Sequence, residues 1–470
     1  MKVLLVSTNT VVTPYPAFPI GACMVAAALR QAGHTARLLD FLEQGKSVEA
    51  MGRIIQDWKP DLVGVSIRNI DSANLLGAQS YVAEMRTIVR RIKDTTPAPV
   101  VLGGSGFSLM PEAILRDTGA DYGIVGEGER LMTQFVNEAA QGRYPAQRCL
   151  RAEPTDHGRD IPSADYMPDT LAFYLKNGNV APVQTKRGCS AGCIYCSYPL
   201  LEGSAIRPRD PAAVADDMQH LFDVHKAKYL FFTDSVFNDA EGRHMDVIAE
   251  LERRKLNIPW TAFFRPCDLD EAAVQRMKAT GLRAAEFGSD AATDVTLAAL
   301  GKGFTFRDVR ASNDRFARLG VATAHYFMFG GPGETRQTVL EGIENIKSLP
   351  SAAIFISMGL RILPNTGLAV IARREGVIRD DDDLLVPSYY ISAAIEKEWL
   401  HDTLSKAFAG VRHCVFPPDA WDRSLQFLHK IGYSGSLWEL LVDKNSAQVP
   451  GVSAASGGPG SVRAAGPPPG

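Results

Sequence analysis

The chain has 470 residues, 46% of them hydrophobic and 22% charged, with a formal net charge of −3. That length suits two domains plus an appendage, and the charge balance leaves no footprint for a nucleic-acid surface. No apolar run approaches the roughly 18 residues of a membrane span, and Met1–Asn9 is too short an apolar stretch for a signal peptide, so a cytoplasmic protein is expected.

Residues 1–145 alternate strand and helix patterns. Lys2–Ser7, Thr35–Leu39, Leu62–Ile67, Pro99–Gly103 and Tyr122–Val125 are short apolar runs. Amphipathic stretches such as Ile20–Ala32 and Ser80–Lys93 lie between them. The alternation predicts a parallel sheet covered by helices, whose ligand sits outside the carboxyl ends of the strands. Thr8, Asn9, Ser66, Arg68, Gly103, Gly104, Gly126 and Glu127 fall at those ends. Residues 146–181 read as a linker.

From Pro182 a second alternation begins. Its candidate strands are Val183–Lys186, Tyr229–Thr233, Trp260–Arg265, Ala284–Phe287, Thr323–Phe329 and Ala353–Ile362. Residues 182–375 form this unit, residues 376–444 read as a helical cap over the substrate side, and 445–470 read as disordered, being rich in Gly, Pro, Ala and Ser. Between the first two strands lie Cys189, Cys193 and Cys196. Three thiolates this close can hold a metal centre that lacks a fourth local ligand, as in iron–sulfur chemistry; a zinc knuckle completed by a remote Cys or His is the alternative. The other cysteines, Cys23, Cys149, Cys267 and Cys414, are scattered without pairing logic.

The three-then-two cysteine spacing, with Tyr195 before the last thiol, resembles the signature of the radical S-adenosylmethionine (SAM) superfamily, and the likeness runs from about Pro182 to Pro364. The N-terminal segments Pro19-Ile20-Gly21, Val100 to Gly104 with Pro111-Glu112, and Asp121 to Glu129 resemble the cobalamin (B12)-binding domain that precedes many such enzymes. The resemblance implies a Rossmann-like doubly wound sheet, then a partial (β/α)6 barrel and the helical C-terminal cap. It also implies three cofactors: a [4Fe–4S] cluster on Cys189, Cys193 and Cys196, SAM, and cobalamin at the strand ends named above. No Asp-x-His-x-x-Gly loop follows the first strand, so cobalt is expected to lack a protein imidazole.

On the barrel, SAM is expected at Tyr195, Asp234, Arg265, Glu286, Asp290, Gly331 and Pro332. The bland alternatives are a core aromatic for Tyr195, a helix N-cap for Asp234, a solvated Arg265 and a turn-shaping role for the glycines. Asp290-Ala291 replaces the family's Glu-Ser, which weakens the ribose assignment. His325, Tyr326 and Arg361 are substrate candidates, with a core role as the alternative for His325. The implied activity is methylation of an unactivated carbon, by way of a 5′-deoxyadenosyl radical and methylcobalamin. Cyclisation or oxidation without methyl transfer, and a non-catalytic iron–sulfur scaffold, are the other readings. A methylthiotransferase is disfavoured, because only Cys23 and Cys149 precede the barrel. A small-molecule or lipid substrate and an electron donor such as flavodoxin or ferredoxin are the implied partners. Arg207 to Pro211 and Phe231 to Asn238 resemble a bacterial subgroup often labelled for lipid biosynthesis.

Overall fold

The computed structural model describes residues 1–153, 157–267, 269–430, 433 and 435–442; the stretch read as a disordered tail lies outside them. The first sheet comprises β1 (Lys2–Ser7), β2 (Thr35–Asp40), β3 (Leu62–Ser66), β4 (Val100–Gly103), β5 (Tyr122–Val125) and β6 (Cys149–Arg151). All pairs are parallel, in the order β2-β1-β3-β4-β5-β6. Val3, Leu4, Val6, Leu62, Val63 and Val65 are buried, as expected of a parallel sheet with helices on both faces. The order reverses between β1 and β3, and at such a switch point the two flanking loops part and open a crevice.

The second sheet comprises β7 (Val180–Val183), β10 (Tyr229–Phe232), β11 (Trp260–Phe264), β12 (Leu282–Asp290), β13 (Ala322–Phe329), β14 (Ala352–Met358) and β17 (Cys414–Val415). Short antiparallel pairs lie outside it: β8 (Lys186–Arg187) with β9 (Arg207–Pro208), and β15 (Leu360–Arg361) with β16 (Tyr389–Tyr390). The order β17-β14-β13-β12-β11-β10-β7 is parallel throughout. Polar side chains start the intervening helices: Thr305 and Asp308 form a reciprocal capping box, and Thr335 with Thr338 another. Each satisfies backbone donors that a helix start leaves orphaned.

Three expectations are corrected. The first barrel strand is Val180–Val183, and Lys186–Arg187 leaves it as a separate strand, because Asp234 takes the Thr185 and Lys186 amides out of the sheet. The stretch read as a linker holds β6, which extends the first sheet, and a helix at Pro168–Asn177. The region read as a helical cap has helices at Lys397–Phe408 and Asp422–Lys430, yet it also adds β17 to the barrel edge and a turn of 3-10 helix at Leu437–Leu441. Trp438 of that turn packs with Ala284, Ala322, Ala324 and Ala353. These alanines sit near the starts of β12, β13 and β14, the end of the barrel away from the strand C-termini.

Candidate active site

One cavity of about 460 Å³ opens at the switch point. Asn9, Ser66, Arg68, Gly103, Gly104, Gly126 and Glu127 line it from the first sheet. Val180, Pro182, Phe231, Thr233 and Phe263 line it from the barrel, and Tyr198, Leu201 and Glu202 from the helix after the cysteine loop. Thr8 is not among the lining residues; its hydroxyl donates to the Ser66 carbonyl at 3.1 Å and ties β1 to β3. Gly104 must be glycine, since its φ is 93° and a Cβ there would lie 2.5 Å from the Ile67 carbonyl oxygen. Among the described residues lining the cavity there is no histidine. His34 precedes β2, at the end of the sheet away from the strand C-termini, against Asn137 at 2.9 Å. A cobalamin seated here meets small residues and apolar side chains such as Phe18, Met24 and Val25, so the lining fits the group with no imidazole from the described wall.

A buried ion network runs from this cavity to the cysteine loop. Arg187 pairs with Glu127 at 3.1 Å and Glu129 at 2.5 Å, and Arg207 also pairs with Glu127. Burial alone raises the Glu127 carboxyl, but Arg207 and Arg187 outweigh it and hold it below the usual carboxylate range. Arg187 stands two residues before Cys189, so the cavity wall and the loop share one rigid joint.

Cys189 is buried and Cys193 and Cys196 are half-buried, all as free thiols. Among the described residues no three His, Cys, Asp or Glu side chains are closed to metal-ligand spacing. The thiols are nonetheless neighbours: burial pushes Cys196 up to about 11, and the charges of Cys193 and Cys189 add to it. Thiolates repel until a cation joins them, so a loop of three adjacent free cysteines fits an iron–sulfur donor set. Its backbone is pinned on two sides, Ile194 N–H to the Leu300 carbonyl at 3.1 Å and Leu368 N–H to the Ile194 carbonyl at 2.8 Å.

Most polar residues expected to hold SAM or substrate are committed to partners within the chain. Asp234, 2% exposed, accepts from the Thr185 amide at 2.8 Å, the Lys186 amide at 3.2 Å and the Thr185 hydroxyl. It braces the strand end that feeds the loop. Glu286 accepts from the Tyr326 hydroxyl at 2.6 Å and the Trp438 indole at 3.2 Å, and burial raises its carboxyl. Asp290 binds the Tyr195 hydroxyl and Lys302. The Arg265 guanidinium donates to the Lys302 carbonyl at 2.9 Å. Gly331 N–H donates to Glu334 at 3.1 Å, and burial pushes that carboxyl up to about 7; Pro332 follows in the same turn.

The substrate candidates separate. His325 is fully buried, hydrogen-bonded to Ser289 at 2.8 Å and Asn313 at 3.2 Å and stacked on Phe287 and Phe327, with burial lowering it to about 3. It is a core residue, because His325 and Tyr326 alternate across β13 and point to opposite faces. Tyr326 points into the barrel, stacked on Phe355 at 5.3 Å. Arg361 is a clasp between the two halves: it pairs with Asp71 at 2.8 Å, both side chains being 6% and 4% exposed, and donates to the Leu384 carbonyl at 2.8 Å. Sequence reading missed Tyr15 and Tyr198, which line the cavity, and Arg187 and Lys302. The only local signal for Lys302 is its place between Gly301 and Gly303.

Fold and site together define a protein that carries a B12 cavity in front of a cysteine-loop barrel. Residues 6–136 match the family model described as the B12 binding domain, and residues 183–346 match that of the Radical SAM superfamily. The chain thus carries a B12 binding domain followed by a radical SAM domain. A tryptophan 2-C-methyltransferase from Streptomyces laurentii is 24% identical over 453 residues, covering 78% of this chain and 74% of the relative. An uncharacterized methyltransferase from Pyrococcus horikoshii is 26% identical over 374 residues, covering 74% and 78%. The radical SAM methyltransferase TsrM from Kitasatospora setae, solved with cobalamin and a [4Fe–4S] cluster, superposes with a TM-score of 0.83 at 24% identity, over 94% of this chain and 97% of that one. Among the described residues no helix is long and apolar enough to cross a membrane.

Proposed function

We propose that the chain is a cobalamin-dependent radical SAM enzyme that methylates an unactivated carbon of a small-molecule substrate. One observation carries this reading: a single cavity is walled by the strand ends of the first sheet and by β7, β10 and β11 of the barrel. When bound, the cluster with SAM supplies hydrogen abstraction from carbon, and cobalamin supplies a transferable methyl group.

The chain's own residues hold, orient and exclude water. Cys189, Cys193 and Cys196 ligate iron, and Asp234 keeps the strand end beneath them in place. Tyr195, pinned by Asp290, offers a fixed ring face beside the loop. Phe231 and Phe263, 5.2 Å apart, form an apolar wall between cavity and barrel interior, which keeps water from reactive carbon. Tyr326, half-buried on β13, faces that interior near Phe263 and is the substrate contact retained from the sequence reading. The cluster's electron comes from a donor such as flavodoxin or ferredoxin, and a lipid substrate remains within the proposal.

Anaerobic reconstitution with iron, sulfide and hydroxocobalamin, then desalting and metal quantification, tests the reading. The expected result is about four irons, as one cubane requires, and about one cobalt per chain. Iron without cobalt overturns methyl transfer.

A further inference from the structure

Lys302 belongs to no role assigned above, yet its ammonium sits against Tyr195 of the cysteine loop. It is 6% exposed. Its ammonium binds the Asp290 carboxylate, lies 3.4 Å from the Tyr195 hydroxyl, and stands over the rings of Phe304 at 5.5 Å and Tyr195 at 5.8 Å. The Asp290 carboxylate compensates that buried charge. The approach is enforced by backbone: Ile194 N–H donates to the Leu300 carbonyl at 3.1 Å, and a Cβ at Gly301 would lie 2.5 Å from the Gly192 carbonyl oxygen. Gly301, with φ of 70°, lets two main chains touch and delivers the next residue to the loop.

We propose that Lys302, balanced by Asp290, sets the charge beside the cysteine loop and so the potential at which the bound cluster accepts an electron. The inference rests on the cluster assignment under Proposed function. Reduction transfers one electron from an external low-potential donor to the cluster, with no bond made or broken in the protein. Each added electron is stabilised by a nearby ammonium and opposed by a nearby carboxylate, and the low-dielectric surroundings weaken neither effect. Neutralising Lys302 leaves the Asp290 charge facing three thiolates. Neutralising Asp290 does the reverse. A purely structural role for the pair moves both variants the same way, whereas charge-setting moves them apart.

The test uses full-length wild type, K302M, K302R and D290N, reconstituted anaerobically and titrated with dithionite without SAM, with the reduced cluster followed by paramagnetic resonance. In K302M the reduced-to-oxidised ratio at a fixed poise is expected to fall about tenfold, equivalent to about 59 mV for a one-electron couple. D290N is expected to rise, and K302R to stay near wild type. Unmoved midpoints in K302M and D290N, or both moving in one direction, overturn the proposal. Should K302M come out without iron, D290N decides: an upward midpoint supports charge-setting and an unmoved one refutes it. A wild type that takes up no four-iron cluster fails the function itself, and is recognised before any variant is compared.

Discussion

The strand ends of the first sheet and those of the barrel are built on opposite principles. In the first sheet they carry small or short side chains, and Asn9, Ser66, Gly103, Gly104 and Gly126 present themselves to one cavity. In the barrel they carry longer polar groups that have found one another: Asp234 with Thr185, Glu286 with Tyr326, Asp290 with Lys302. A glycine or serine at a strand end has little it can reach across a sheet. A buried carboxylate without a partner is too costly to leave unsatisfied. Periodicity therefore locates both sets of residues, but only the first, Thr8 apart, faces the cavity.

The sharpest break between the two regions is Cys193→Ala. Loss of one of three iron ligands is expected to abolish cluster loading and SAM cleavage, while cobalt binding at the first-sheet cavity stays at the wild-type level. Iron and cobalt counts with an assay for 5′-deoxyadenosine check both halves. Retained 5′-deoxyadenosine production sinks the cluster assignment, and lost cobalt shows the regions to be one cooperative site.

A second substitution attacks the joint between them. Asp71 follows β3 and Arg361 ends the barrel, and each is nearly inaccessible in the pair. Asp71→Ala leaves a buried guanidinium with only the carbonyls of Ile362 and Leu384 as acceptors. Breaking such a pair from one side costs about 3–5 kcal/mol, and denaturant unfolding should show a loss of that size. A cost under about 1 kcal/mol, the range of exposed pairs, removes Arg361 from the joint and returns it to the substrate candidates.

The pattern of what could be read follows from sequence distance. Most parallel strands were legible because they are largely apolar runs, and the thiols because their spacing is local; the three-residue β6 was not. β17 has two residues and no period to detect. Lys302 meets Asp290 across 12 residues and Tyr195 across 107, so nothing nearby announces the contact. Arg361 and Asp71 are 290 apart; the sequence presents Arg361 as a strand-end cation, and only the packing of two domains turns it into a clasp. The cap was legible as helix, but the place of Trp438 was not, because the space it fills is made by alanines on three different strands.

The smallest effect tests whether His325 belongs to the barrel's chemistry or its core. Folded His325 stays neutral down to about pH 3, whereas the unfolded chain protonates it near 6.5. Its folded pKa is depressed, so its contribution to stability is complete above pH 6.5 and is lost as pH falls from there toward 3. The slope is up to about 1.4 kcal/mol per pH unit. Glu334 and Glu439, both raised to about 7 by burial, work the other way, their stabilisation fading as pH rises from 4.5 through 7. They are common to wild type and variant and cancel in the difference. His325→Phe leaves Ser289 and Asn313 short of a partner, which costs about 1–3 kcal/mol at pH 7.5. The wild-type advantage should then shrink on acidification and vanish near pH 5. Denaturant unfolding across pH 4.5–7.5 reads this directly. Parallel curves mean that His325 titrates normally, and a raised KM without loss of stability returns it to the substrate site.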